Sequence, residues 1–278
     1  MRAPISGIDH VVIAVHDLNR ARATYARLGF TLTPRGFHTI GSQNHCIMFA
    51  RDYLELLALP KAHPATQYYA DFLVKGDGLA AIALATEDAA AAYAALRANG
   101  IQADAPLDFA RPVALPGGAR DAAFRIVQLP VGQTPGCRAF LCQHFTRDVV
   151  WRPEYQRHAL GATGLAGIAL IVEDPARTAP HYAKIFDSAA QTIDEGLRID
   201  TGSAPIALAV RGKLGRRLAG IELPARVRPF VAALYIRVAD RLAAAETLRR
   251  GGFTPVALKD GSYAVHAHEA CGVTLVFG

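Results

Sequence analysis

The 278-residue chain is 51% hydrophobic, carries a formal net charge of +6 and has a pI near 9.3. This composition excludes an intrinsically disordered chain, and the length suits one large domain or two medium ones with a sizeable core. No apolar run approaches the ~18 residues of a membrane span, and Met1-Arg2-Ala3-Pro4 lacks the apolar core of a signal peptide, so the chain reads as cytoplasmic.

Residues 8–15 form an apolar run broken only by Asp9 and His10, as expected of a largely buried strand. Asp17 is a good N-cap, and Leu18, Ala21, Tyr25 and Leu28 then follow helical spacing to a stop at Gly29. Residues 30–35, 44–50 and 53–59 read as three further strands. The same run-and-aspartate pattern returns at residues 79–86 before Asp88, 165–172 before Asp174 and 231–238 before Asp240. Gly29, Gly100 and Gly252 each stand twelve residues after their aspartate; Phe186 takes that place in the third copy, which is therefore degenerate. Further strands are expected near 101–106, 120–129 and 137–145, near 189–200 and 204–210, and near 253–258, 263–268 and 273–277. The stretch 146–163 reads as a linker that packs in part on the protein. It divides the chain into 1–150 and 151–278, with two strand–helix–strands units in each part.

Cys46, Cys137, Cys142 and Cys271 include no CxxC pair and read as reduced, mostly buried thiols. The dense basic cluster Arg211 to Arg217 reads as a solvated loop. No nucleic-acid partner is expected, and the positive balance equally suits attraction of a small anionic substrate.

The paired βαβββ units resemble the vicinal oxygen chelate superfamily of glyoxalases, extradiol dioxygenases and bleomycin-resistance proteins. Gly7 to Leu18 looks like the first strand and helix start of such a module, and Tyr53-Leu54-Glu55-Leu56-Leu57 like its last strand. The stretch from His38 through Gly41 and Asn44 to Leu56 is similar to the glyoxalase-like domain subgroup. The resemblance implies an α+β fold of four βαβββ modules paired into two glyoxalase/bleomycin-resistance/dioxygenase-like domains. It also implies adjacent first and last strands in each module, so that inward side chains meet at one metal.

On that basis His10 and Glu55 are the expected ligand pair for a divalent ion such as Fe²⁺, Mn²⁺, Ni²⁺ or Zn²⁺. Glu55 can double as a base. Ala81 stands where the second unit would have its own histidine, so the last strand of that unit is the expected source of a third ligand: His144, with Gln143 as the alternative. His38 and Asn44 are expected to line the same cup and contact substrate, with His45 beside them, while Arg125 is a candidate for holding a substrate carboxylate. A thiolate–imidazole pair of Cys142 and His144, two residues apart on one strand face, is a poor arrangement. His266 and His268 alternate on one expected strand without an acidic partner, and Gly167 and Ala233 replace His10 in the later units, so the second half reads as metal-free. The function implied is a metal-dependent lyase, isomerase or dioxygenase acting on a small molecule through vicinal oxygens, with a homodimer compatible. The alternative is a metal-independent binding or sequestering protein of the drug-resistance kind.

Overall fold

The computed structural model describes residues 4–115, 117–226 and 229–278, so Met1–Ala3 of the N-terminal reading lie outside the described residues. The first half contains β1 (Gly7–Ala14), α1 (Leu18–Arg27), β2 (Gly36–Phe37), β3 (Gln43–Met48) and β4 (Tyr53–Ala58), then α2 (Gln67–Leu73). It continues with β5 (Gly78–Ala85), α3 (Ala89–Ala98), β6 (Leu107–Leu115), β7 (Gly118–Gln128), β8 (Arg138–His144) and the short α4 (Arg147–Val150). The second half runs β9 (Ala162–Val172), α5 (Pro175–Phe186), β10 (Gln191–Ile193), β11 (Gly196–Ile199), β12 (Ile206–Val210) and α6 (Arg211–Arg217). It closes with β13 (Phe230–Val238), α7 (Arg241–Arg250), β14 (Val256–Ala257), β15 (Tyr263–Val265) and β16 (Thr274–Phe277). The chain is thus four βαβββ modules in two eight-stranded sheets.

The four aspartates do what an N-cap does. Asp17 accepts from the backbone N–H groups of Asn19 and Arg20, Asp88 from Ala91, Asp174 from Ala176 and Arg177, and Asp240 from Leu242 and Ala243. Within each module the first and last strands lie side by side and parallel: β1 with β4, β5 with β8, β9 with β12 and β13 with β16. Antiparallel pairing of β1 with β5, and of β9 with β13, joins the modules in twos.

Strand periodicity decides what each face touches. Val11, Ile13 and Val15 enter one apolar cluster that also takes Leu165, Ile168, Leu170 and Leu234 from the second sheet. The opposite face of each sheet has its own cluster, with Val12, Met48, Tyr53, Phe124 and Phe140 in the first and Ala169, Ile171, Leu218 and Val276 in the second. Hydrogen bonds tie the halves at the rim of the shared core: Ile8 N–H to Ser203 Oγ at 2.8 Å, Tyr182 OH to the Pro135 carbonyl at 2.8 Å and Leu165 N–H to Asp52 Oδ1 at 2.9 Å.

Asp52 makes this junction pH-sensitive. Burial raises its carboxyl to about 6, against the Leu165 N–H bond and the nearby Arg237 charge. A folded pKa above the ordinary 3.8 means that the folded chain holds the proton more tightly than the unfolded one. The stabilisation is complete below pH ~4 and is lost as pH rises through about 6, for a maximum of roughly 3 kcal/mol. Urea titrations should therefore show wild type losing more stability between pH 5 and pH 8 than Asp52→Asn, whose amide oxygen can still accept from Leu165.

Several expected elements differ. Residues 31–35 form no strand, because Pro34 interrupts pairing and the Thr33 N–H to Cys46 carbonyl bond of 2.8 Å stands alone. The second strand of the second module is β6 and begins at Leu107, beyond the expected 101–106. The run 189–200 is a hairpin of β10 and β11. The basic cluster is a helix, α6, not a loop: Leu214 is buried beneath it, and Arg217 reaches Glu195 at 2.8 Å. The stretch 146–163 includes α4, and His158 accepts from Thr31 N–H and donates to the Met48 carbonyl. Among the described residues no helix is long and apolar enough to cross a membrane.

Candidate metal centre and substrate cup

β1 carries a register shift: Ile8 pairs with Leu84 but His10 pairs with Ala83, so Asp9 is an extra, bulged residue. The bulge lets both polar side chains of an apolar strand turn inward, and Asp9 and His10 are 2% and 4% exposed. His10 donates from Nδ1 to Asp9 Oδ1 at 2.6 Å, and His144 donates from Nε2 to the same oxygen at 3.0 Å. Burial alone would raise the Asp9 carboxyl, but these two bonds and the imidazole charges hold it far below the usual carboxylate range.

Glu55 reaches the same face because β4 pairs Glu55 with Val12, the inward neighbour of His10. Its Oε1 accepts from Asn44 Nδ2 at 2.6 Å, and its Oε2 lies 3.8 Å from His10 Nε2. His38 approaches from the other side, with Nε2 3.9 Å from Glu55 Oε1 and Nδ1 bonded to Ser42 Oγ at 2.7 Å. Both imidazoles are therefore tethered through Nδ1 and turn Nε2 toward one carboxylate. Burial lowers the pKa of His38, Glu55 raises it, and Arg111 and His10 lower it further; the net shift favours a neutral ring, whose Nε2 accepts from Asn44 Nδ2 at 3.3 Å.

The cup around this trio is a cavity of about 70 Å³. Tyr53 stacks on His10 at 4.2 Å, Phe140 meets it edge-on at 5.5 Å, and Phe109, Phe124 and Tyr69 supply further wall. Tyr69 comes from α2, which the sequence reading did not contain.

Three of the expected site residues lie outside this cup. His144 does not face this cup: Asp9 separates it from His10, and it opens instead onto a cavity of about 620 Å³ lined by Arg51, Asp52, Arg147 and Arg237. The equivalence of the modules explains this. Val12 pairs with Glu55 in the first module, and Ala83, the corresponding residue of the second, pairs with Phe140, so Phe140 and not His144 occupies the position of Glu55. Gln143 points away and holds the start of α3, donating to the Glu87 carbonyl at 2.6 Å and accepting from Ala89 N–H at 3.0 Å. Arg125 lies outside the cup, in a two-bond pair with Asp108 at 2.6 and 2.7 Å.

His38 and Asn44 do line the cup. His45 faces the other way and donates to the Thr33 carbonyl at 2.8 Å. His266 and His268 do not alternate on a strand, because β15 ends at Val265 and a 3-10 turn follows. Their rings lie 5.3 Å apart, and His266 accepts from Glu222 N–H. In the second sheet the places of His10 and Glu55 are taken by Gly167 with Ala207 and by Tyr235's partner Val276 with Ala233, none of which offers a metal donor except the tyrosine beside them.

Among the described residues, Asp9, His10, Cys142 and His144 offer donor atoms that all lie within 4.8 Å of one another, so this cluster can also hold a metal ion. Its donors are two imidazoles, a carboxylate and a thiol, a set suited to zinc or iron. His10 belongs to both donor sets. Sequence reasoning missed Asp9, Ser42 and Arg111; the one signal for Asp9 was that two adjacent polar residues in a buried strand cannot both face inward without a bulge.

The model of a glyoxalase-like domain matches residues 8–186. The chain belongs to this family. Comparison with curated protein sequences gave no significant match. Among solved structures, a hypothetical protein from Staphylococcus aureus is similar over 98% of both chains, with 12% identity and a TM-score of 0.68. A variant of 4-hydroxymandelate synthase from Streptomyces coelicolor matches 99% of this chain and 92% of its own, with 15% identity and a TM-score of 0.63. A fusion of a xylose isomerase-like TIM barrel with a 4-hydroxyphenylpyruvate dioxygenase matches all of this chain with 49% of its own, at 14% identity and a TM-score of 0.63. At these identities the likeness is one of fold.

Proposed function

We propose that the N-terminal cup, in a unit bounded near residue 150, is the active site of a metal-dependent enzyme that takes a small substrate through neighbouring oxygens. The observation that carries this reading is the convergence of His10 Nε2 and His38 Nε2 on the Glu55 carboxylate, at 3.8 and 3.9 Å. His10, His38 and Glu55 would hold the ion, a two-histidine, one-carboxylate set with room for substrate. Each ring is fixed through its other nitrogen, by Asp9 and by Ser42, as ligating histidines usually are, and an ion would take the place of the Asn44 amide between His38 Nε2 and Glu55 Oε1. When bound, a divalent ion there supplies Lewis-acid polarisation of substrate oxygens.

The protein's own groups do the rest. Asp9 fixes the tautomer of His10. Asn44 orients Glu55 through Oε1, leaving Oε2 without a hydrogen-bond partner among the described residues and available to take a proton from substrate. Tyr53, Phe124 and Phe140 keep water away from that exchange. This favours lyase or isomerase chemistry. The same donor set with iron suits a dioxygenase, and oxygen uptake by the iron-loaded protein distinguishes the two.

The cluster of Asp9, His10, Cys142 and His144 is the rival location. Four protein donors leave no open position, and burial pushes the Cys142 thiol well above its ordinary range, so an ion there would be structural. Metal analysis after reconstitution decides between them. Wild type should bind one divalent ion per chain, with loss in His10→Ala, His38→Ala and Glu55→Gln and retention in Cys142→Ser and His144→Ala. Retention in His38→Ala and Glu55→Gln with loss in the other pair would overturn the cup assignment, and no metal in wild type would overturn metal dependence.

A further inference from the structure

Arg111 is a charged side chain in the wrong place for packing alone. It sits on β6 opposite Ala122, is 8% exposed and lines the cup with His38, Asn44 and Glu55. Among the described residues its guanidinium has no hydrogen-bond or ion-pair partner: Glu55, the carboxylate in the same cavity, makes no ion pair with it and is engaged by Asn44. Buried arginines are as a rule paired, because an uncompensated charge in an apolar site is costly.

The surroundings are shaped for it. Gly36 lies on the adjoining strand β2, where an added Cβ would overlap Asn44 Oδ1 and come within 3.1 Å of Arg111 Nη1. Glycine thus clears the space in which guanidinium and amide stand together. The charge is felt inside the cup, since Arg111 acts on both His38 and Cys46. Two acceptors of the same cavity, Asn44 Oδ1 and Gln128 Oε1, are buried without a donor. The cup therefore offers a planar fork of N–H donors suited to an oxyanion, beside two oxygens suited to a hydroxyl. A volume of about 70 Å³ limits the occupant to roughly half a dozen non-hydrogen atoms.

We propose that Arg111 is the anion anchor of the cup and that the substrate is a small hydroxycarboxylate, its carboxylate on the guanidinium and its hydroxyl toward Asn44 and Gln128. This rests on the reading of the cup as a substrate site, but its test does not require turnover or metal. Lactate, lactamide and inorganic phosphate would be titrated by calorimetry into wild type, Arg111→Met and Arg111→Lys, with metal content measured for each protein. Lactate should bind wild type at least tenfold more tightly than lactamide; Arg111→Met should erase that preference with metal content unchanged, and Arg111→Lys should keep part of it. Equal binding of lactate and lactamide, or an unaltered preference in Arg111→Met, overturns the proposal. Phosphate binding more tightly than lactate overturns the carboxylate assignment. A wild type that stays metal-free after reconstitution yet prefers lactate through Arg111 overturns metal dependence and supports the anchor, whereas a metal-loaded wild type without the preference does the reverse.

Discussion

Asp9→Ala is expected to lower stability by about 3–5 kcal/mol, the usual result of removing one partner from a buried charged network. The substitution leaves His10 Nδ1–H and His144 Nε2–H without their common acceptor, in a site where both rings are almost wholly buried. Each orphaned donor costs about 1–3 kcal/mol. Phe124 and Trp151 each lie 4.9 Å from the His144 ring and Tyr53 covers His10, so both donors are screened on their apolar sides. The effect on function should be separate and measurable. Without Asp9 the His10 ring loses its fixed tautomer, and metal affinity should fall about 10–100-fold, as for other lost supports of ligating histidines. Urea denaturation and competition with a metal chelator check the two parts. A stability loss below about 1 kcal/mol would show that Asp9 is not the hub described.

Gly272→Ala is expected to cost about 3 kcal/mol or more, far from the cup. Gly272 has φ +80, a conformation that already penalises a side chain, and its N–H donates to the Ala267 carbonyl at 2.7 Å. An added Cβ would overlap the carbonyl oxygen of Asp77, which also accepts from Arg226. The overlap is with backbone, so no rotamer change relieves it and the two halves must move apart locally. Gly212→Ala is the control: it lies in α6, and nothing lies within 4 Å of its added Cβ. That variant should match wild type or exceed it by up to about 1 kcal/mol, from helix propensity. Equal stability of Gly272→Ala and wild type in thermal unfolding would refute the close approach.

Much of the scaffold is legible in the chain because two signals agree. Alternation such as Val11, Ile13, Val15 marks a strand with one face in a core, and a capping aspartate marks the helix after it. His10 and Glu55 stand out as polar residues in apolar strands for which burial must have a reason. What stayed hidden depends on pairing over long distances. A bulge is a property of two strands together, so Asp9 could not be assigned from β1 alone. Arg111 lies in Leu107–Leu115, whose Pro112 argues against a strand; β6 tolerates it as the edge of its sheet. Register places Phe140, not His144, opposite Ala83, while His144 joins Asp9, His10 and Cys142 in one donor cluster, a neighbourhood that depends on pairing across strands.

The apolar cluster shared by both sheets has a consequence for how such a chain changes over evolutionary time. Leu165, Ile168, Leu170 and Leu234 pack into the core shared with the first sheet, whereas Ala169, Ala233 and Val276 pack only within the second sheet's own cluster. Selection acts on alternate residues of one strand for different reasons. One face of the second half must match the first sheet and the other only its own cluster, so substitutions on that second face can accumulate without loosening the junction of the halves.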